Sequence, residues 1–301
     1  MSIKHPEIER ESQQNPHLVN LEVDYLYHLG LDTSMDLPSM FGDVKYVCMG
    51  GSPERAEQFA IKAAERLGIS VPEEGLEPVG KTERYSLYKV GPIISLSHGI
   101  GMPSASIVLH EVTKLLRYAG STDFKYIRIG TSGGVGVDPG EVVVSTNVVD
   151  GKLNPVHEVV ELGKSVELDT ALDSNLVQSL LTIASESDIS ATAGTTMSTD
   201  SFYAAQGRLD GALNPRYTET EKMDFLQLAY DKGVRNIEME AAIIGAFCRE
   251  AGIPAAVVCA AILNRLDGDQ VGSTIEELEQ FSDNAQQLVL NLISKELNLT
   301  D

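Results

Sequence analysis

Along most of the chain, short runs of apolar and β-branched residues alternate with segments whose apolar residues recur at helical spacing. Val44–Met49, Tyr85–Val90, Ile93–Ser97, Tyr126–Ile129, Val142–Ser145, Thr192–Met197 and Ala256–Leu263 predict strands. Pro53–Leu67, Pro103–Tyr118, Leu172–Glu186, Thr220–Asp231, Glu240–Ala251 and Ile275–Leu297 predict helices. Pro53 and Pro103 stand where a first helical turn tolerates proline, and Gly68, Gly120 and Gly252 follow helix ends. No linker, repeat or low-complexity tract interrupts the alternation. That pattern predicts one α/β domain around a central sheet, residues 19–301. The first 18 residues lack periodicity and predict a mobile N-terminal extension.

Charge narrows the possible partners. The 301 residues hold 23 Lys+Arg against 44 Asp+Glu, a net charge of −21. A nucleic-acid reader needs a basic stripe and a polybasic membrane anchor needs clustered cations, so both classes are excluded. No apolar run approaches the roughly 20 residues that span a bilayer. The opening MSIKHPEIERESQQNPH is polar and acidic, unlike a signal or transit peptide. Cys48, Cys248 and Cys259 are odd in number, far apart and set in apolar runs, without zinc-ligand spacing. They read as buried thiols of a reducing, cytoplasmic compartment.

Chemistry in such a sheet gathers at loops leaving strand ends. Met49-Gly50-Gly51-Ser52-Pro53-Glu54-Arg55 runs from a strand through a glycine turn into a helix, a place where free N–H groups and Arg55 suit an anion. A plain turn with a surface arginine would read the same way. Ser97-His98-Gly99-Ile100-Gly101-Met102-Pro103-Ser104 is one residue short of a dinucleotide fingerprint, but Pro103 starts its helix too soon. Gly130-Thr131-Ser132-Gly133-Gly134 matches GxSxG, yet no helix follows the serine, so a nucleophile elbow cannot form. It reads better as a glycine-rich strand end presenting amides and the Thr131 hydroxyl to an anion. Arg128, within apolar Tyr-Ile-Arg-Ile, demands a carboxylate or an anionic ligand if buried.

Phe202-Tyr203-Ala204-Ala205-Gln206-Gly207-Arg208 combines an aromatic face, an amide and a guanidinium fork, which suit the edge of a pyrimidine; an ordinary loop fits equally. Glu238 and Glu240 begin a helix, where acids favour the dipole, and could also accept from sugar hydroxyls. Leu263-Asn264-Arg265-Leu266-Asp267-Gly268-Asp269-Gln270 ends an apolar strand in a polar loop.

Together these loops offer an anion cluster, a base clamp and a sugar-binding carboxylate. At this point the chain resembles the uridine phosphorylases of the nucleoside phosphorylase family, in their animal-type form. The resemblance runs from about Leu21 to the final helix. It rests on MFGDVKYVCMGGSPER, YKVGP, SHGIGMPS, IRIGTSGG, FYAAQGRLDGAL, RNIEMEAA and LNRLDGDQ. It implies a single-domain three-layer α/β/α fold with a central mixed sheet. It implies reversible phosphorolysis of uridine, and of deoxyuridine or thymidine as further candidates, to uracil and ribose 1-phosphate in pyrimidine salvage. Phosphate is then a substrate, and no redox or metal cofactor is implied.

By position, Gly51, Arg55, Arg128 and Thr131 resemble phosphate ligands, and Arg84 resembles an arginine lent by a neighbouring subunit. His28 is similar to a second donated residue, one that meets the ribose 5′-hydroxyl. Taken alone, His28 reads as a solvated histidine and Arg84 as a surface arginine. A homo-oligomer with shared sites follows, a dimer or a hexamer. Gln206 and Arg208 resemble uracil readers, with Phe202 packed on the base and Arg265 near the uracil end. Met239 and Glu240 resemble ribose contacts. Arg128, Arg208 and Gln206 would carry the catalysis, and Glu238 would serve as a structural partner for a buried arginine. Bacterial relatives place a potassium-binding glutamate where Tyr85 stands, which argues against that ion. Asn264-Arg265 stands in place of the Ser-Asp pair of purine enzymes, which argues against purine activity. A hydrolytic nucleosidase and a non-catalytic nucleoside-binding paralogue are the rival readings.

Overall fold

The computed structural model describes residues 15–80 and 82–299. Residues 1–14, the greater part of the extension read from the sequence, lie outside them. Asn15 caps a short 3-10 turn at Pro16–Leu18. A two-stranded ribbon, β1 (Tyr25–Leu26) with β2 (Leu31–Asp32), then leads to α1 (Leu37–Phe41). The main sheet uses β3 (Tyr46–Gly50), β4 (Leu87–Val90), β5 (Ile93–Ser97), β6 (Lys125–Gly134), β7 (Val142–Val149), β10 (Ala191–Ser198), β11 (Val234–Glu238) and β12 (Ala255–Asn264). Strands β8 (Val156–Glu161) and β9 (Lys164–Asp169) form a separate hairpin. The remaining helices are α2 (Pro53–Arg66), α3 (Met102–Tyr118), α4 (Ser174–Ser185), α5 (Glu219–Asp231), α6 (Ala241–Ala251) and α7 (Ile275–Glu296).

Sheet order is β11-β10-β7-β12-β6-β3-β5-β4, with parallel and antiparallel pairs mixed. Strand alternation sends side chains to two cores, one on each face. Val47 and Met49 of β3 and Val257 and Cys259 of β12 pack with α1, α3 and α6. Tyr46 and Cys48, with Ala256, Val258 and Ala260, pack with α2, α4 and α7. This is a three-layer α/β/α arrangement. The three cysteines are buried free thiols, and no helix among the described residues is long and apolar enough to cross a membrane.

One correction concerns the segment read as a loop after Ile129. Strand β6 continues through Gly134, pairing with β12 as far as Asn264. Glycine here serves the side chains that lie across the strand. A Cβ on Gly130 would stand 2.7 Å from Arg128 Nη1, and one on Gly133 would stand 3.0 Å from Arg265 Cγ. Most amides of the segment therefore belong to the sheet rather than to a loop.

The other edge of β6 is divided. Strand β3 pairs with it only from Lys125 to Arg128, and β11 returns to pair antiparallel at Gly133 and Gly134. That return closes β6, β12, β7, β10 and β11 on themselves. Between the two partners, residues 129–132 are left open toward the turn after β3. The candidate site lies at this gap.

Candidate active site

Two arginine clusters meet at the gap. The first is built on strands. Ser52 caps α2 and accepts the Arg55 N–H, which places Arg55 in the first helical turn beside Gly51. Arg128 points from β6 into the interior and is 3% exposed. Its Nε donates to Glu238 Oε2 (2.8 Å) and its Nη2 to Glu240 Oε2 (2.6 Å). Its Nη1 lies 3.1 Å from His98 Nε2. A guanidinium can only donate, so that ring nitrogen accepts and the imidazole is neutral with its proton on Nδ1. Burial first, then the Arg128 charge, hold His98 well below the ordinary histidine value. Its Nδ1 is buried without a hydrogen-bond partner among the described residues.

The carboxylates are themselves held. Glu238 accepts the N–H groups of Glu240 and Ala241, capping α6. The sequence left it between dipole acid and structural partner for an arginine, and it is both. Glu240 Oε1 accepts the Gly101 N–H (2.5 Å), tying it to the turn before α3. Burial, with Glu238 adding to it, raises the Glu240 carboxyl although Arg128 opposes the shift. Arg55 makes no ion pair or side-chain hydrogen bond among the described residues. Burial, and after it the like charge of Arg128, lower its guanidinium from the ordinary arginine value. Two cations thus lie close enough for one to act on the other, and Thr131 follows Arg128 on β6, an arrangement that suits an anion.

The second cluster is built on loops. A 3-10 turn at Ala204–Gln206 ends at Gly207 with φ 67°, a left-handed conformation that glycine adopts without strain. Gln206 is buried and its Nε2 donates to Thr199 Oγ1 (3.2 Å). Arg208 donates through Nε and Nη2 to Asp210 (3.1 Å each), and its Cζ lies 4.5 Å from the Phe202 ring centre. Arg265 is 0% exposed. Its Nε donates to Asp269 Oδ1 (2.9 Å) and its Nη2 to the Gln206 carbonyl (2.7 Å), while its Nη1 is buried without an acceptor among the described residues. Arg208 Nη1 and Gln206 Oε1 likewise make no hydrogen bond among the described residues.

Thr199 joins the clusters, since its N–H donates to the Glu238 carbonyl (2.9 Å) while its hydroxyl takes Gln206. The fold therefore brings together Gly51, Arg55, Arg128, Thr131, Glu240 and its neighbour Met239 with Phe202, Gln206, Arg208 and Arg265. Among the described residues, His28 and Arg84 make no hydrogen bond or ion pair with any of them. His28 Nδ1 pairs with Glu111 Oε1 of α3 (2.6 Å), and Arg84 is exposed. The two share a surface, because Tyr85, next to Arg84, lies 6.3 Å from the His28 ring. The Tyr85 hydroxyl donates to the Ser104 carbonyl (3.0 Å).

Sequence reading gave no role to His98, Glu111, Thr199, Asp210, Lys222 or Asp269. His98, Asp210 and Asp269 stand inside the motifs singled out above, and that proximity was their signal. Lys222 carried none, being one charge among many on a helix face.

Comparison with known proteins places this geometry. A profile described as Phosphorylase superfamily matches residues 45–297. Mouse uridine phosphorylase 1 is 44% identical over 94% of this chain and 92% of its own. Inactive uridine phosphorylase B of Schistosoma mansoni is 42% identical over 91% of this chain and 93% of its own. The crystal structure of uridine phosphorylase from Schistosoma mansoni in complex with uracil superposes with a TM-score of 0.90 at 41% identity, covering 96% of this chain and 100% of that one. The chain belongs to the phosphorylase superfamily. Within it, the similarity is to the uridine phosphorylases.

Proposed function

We propose that the protein is a uridine phosphorylase, transferring ribose from uracil to phosphate, and that it works as a cytoplasmic homodimer. The observation that carries the reading is the set of polar ends left free at the base cluster. Gln206 Oε1 is an acceptor, and Arg208 Nη1 and Arg265 Nη1 are donors. Uracil presents the complement: an N–H between two carbonyl oxygens. A buried N–H without a partner costs about 1–3 kcal/mol, so the Arg265 end favours a ligand that accepts from it. Names of relatives weigh less, because a relative named inactive is about as similar to this chain as mouse uridine phosphorylase 1 is.

The chemistry follows from position. Phosphate bound by Arg55, Arg128, Thr131 and Gly51 attacks the anomeric carbon as the C–N bond breaks and positive charge grows on the sugar. Its negative charge lies against that cation, so orientation and electrostatics supply the catalysis and no side-chain nucleophile is needed. Arg208 donates to a uracil carbonyl as negative charge develops on the leaving base. Gln206 selects the pyrimidine edge, since ligands that leave it unpaired bind poorly. Met239 and Glu240 border the ribose.

Charge balance supports a shared site. Arg55 and Arg128 are matched by Glu238 and Glu240, so the phosphate end is neutral overall before any anion enters. A further cation from outside the chain would offset the phosphate; the exposed Arg84, with His28 near the adjoining Tyr85, would supply it to a neighbouring subunit. The stripe of exposed Val19, Leu21, Val23, Tyr25 and Tyr27 suits burial against that neighbour. Three buried free thiols suit a reducing compartment.

The test is ultraviolet-monitored uracil release from uridine with and without phosphate, with inosine as control. Release that requires phosphate, and none from inosine, is the expected result. Release without phosphate means a hydrolase, and binding without turnover means a non-catalytic paralogue. For the shared site, inactive Arg84→Ala and Arg208→Ala subunits, mixed and reassociated, should regain about a quarter of wild-type activity, since half the random dimers carry one intact site. Proven mixed dimers without activity would refute sharing.

A further inference from the structure

The base cluster depends on two residues that reach none of its free polar ends. Asp269, in the loop after β12, binds every cation on that side. Its Oδ1 accepts from Arg265 Nε (2.9 Å), its Oδ2 from Lys222 Nζ (2.7 Å) and more distantly from the Leu209 N–H (3.4 Å). Its main-chain carbonyl accepts from Arg208 Nη2 (2.5 Å). Lys222 comes from α5, whose start is fixed by a capping box of Thr218 and Glu221. Its stem runs beneath the left-handed turn, where a Cβ on Gly207 would stand 3.6 Å from Lys222 Cγ. The Lys222 and Asp269 side chains are 6% and 8% exposed.

An ion pair this deep gains little stability over apolar packing, but it does fix how the groups it joins are placed. Here it joins three parts of the chain: the loop carrying Gln206 and Arg208, the loop carrying Arg265, and the first turn of α5. Without the carboxylate, Arg265 and Lys222 would be two buried like charges near one another. Burial works against the Asp269 carboxylate, yet Lys222 and Arg265 hold it below the ordinary value, so it stays charged at neutral pH.

We propose that the Asp269–Lys222 pair is a positioning device for base recognition, setting the Arg265 and Arg208 forks and the Gln206 loop at the spacing a pyrimidine edge requires. The proposal rests on the uridine reading above. Neither residue touches the base; each acts through Arg265, Arg208 or the peptide at Gly207.

The test is steady-state kinetics of purified full-length enzyme with uridine and phosphate each varied. Asp269→Asn should raise the KM for uridine about 10- to 100-fold while kcat falls by less and the KM for phosphate stays put, because misplacement is confined to one end of the site. Lys222→Gln should shift uridine KM the same way, Lys222→Arg should keep it near wild type, and the Asp269→Asn/Lys222→Gln double variant should be no worse than the worse single. If Asp269→Asn does not fold, Lys222→Gln and Lys222→Arg carry the same contrast. Unchanged uridine KM in folded variants, or equal rises in both KM values, overturns the proposal. Wild-type enzyme that releases no uracil with phosphate present refutes the uridine reading and this proposal with it. An active wild type with unaffected variants refutes this proposal alone.

Discussion

The two arginine clusters solve the same problem by different means. Arg128 stands on a strand paired on both edges, with its guanidinium in a socket made by Glu238, Glu240 and His98 and roofed by the missing side chain of Gly130. Arg208 and Arg265 stand on or beside loops, and ion pairs with Asp210 and Asp269 take the place of a strand's rigidity. Sheet residues hold their forks at fixed positions, which suits a small anion of constant shape. Loop residues braced by salt bridges make a receptor whose outline changes when one brace is altered. Among relatives, one is called a uridine and thymidine phosphorylase, and differences in base choice would be sought first in the loop cluster.

Removing the arginine from each cluster should separate the two most sharply. Arg128→Ala leaves Glu238 and Glu240 buried without a counterion, and should cost about 3–5 kcal/mol in urea unfolding together with activity. Arg208→Ala, part of whose fork reaches solvent, should lower kcat/KM about 10²- to 10³-fold, as loss of a donor to developing charge does, with much less effect on unfolding. Equal destabilisation by the two changes would erase the distinction.

The glycines beneath the forks give a finer contrast. Gly130→Ala places a methyl 2.7 Å from a guanidinium locked by two carboxylates, and should cost about 1–3 kcal/mol and at least 10-fold in kcat/KM. Gly133→Ala meets the Arg265 stem at a longer 3.0 Å, so its smaller loss should fall on uridine KM.

The smallest expected effect concerns pH. His98 titrates in the native state well below its ordinary value, because burial and Arg128 disfavour its charge. Below about pH 6.5 the unfolded chain takes up a proton that the native chain does not, so stability is present above that pH and is lost as pH falls. One such proton is worth about 1 kcal/mol between pH 7.5 and 5.5. His98→Asn should flatten the urea-unfolding profile by about that amount, and a profile as steep as wild type would assign the acid sensitivity elsewhere.

Legibility followed the range of the interactions. Seven strands of the main sheet and the helices packed on it were readable because their apolar spacing and terminal prolines and glycines are local features, whereas the short β11, with Arg235 and Asn236 inside it, was not among the predicted strands. β8 and β9 were missed: VHEVVE and KSVELD mix polar and apolar residues without a buried face to mark them. The continuation of β6 through Gly134 was missed because glycine is read as a loop signal. Only the packed structure reveals that Arg128 and Arg265 fill the space the glycines leave. Arg128 itself was readable, since a cation in an apolar strand needs a partner, and Glu238 was correctly suspected. Lys222 and Asp269 were not, as 47 residues separate them and only the folding of α5 against the last loop makes them a pair.

By itself, the sequence determined the α/β alternation, the strongly acidic net charge, and which residue types could bind an anion and a pyrimidine. Local periodicity, charge and side-chain chemistry suffice for those. Only the tertiary structure decided which hydrogen-bonding ends remain free. Among the described residues, Arg128 spends three donors on the protein, Arg265 keeps one end unpaired in the interior, and Arg55 keeps its whole fork, because availability depends on neighbours that folding brings in from as far as 112 residues along the chain.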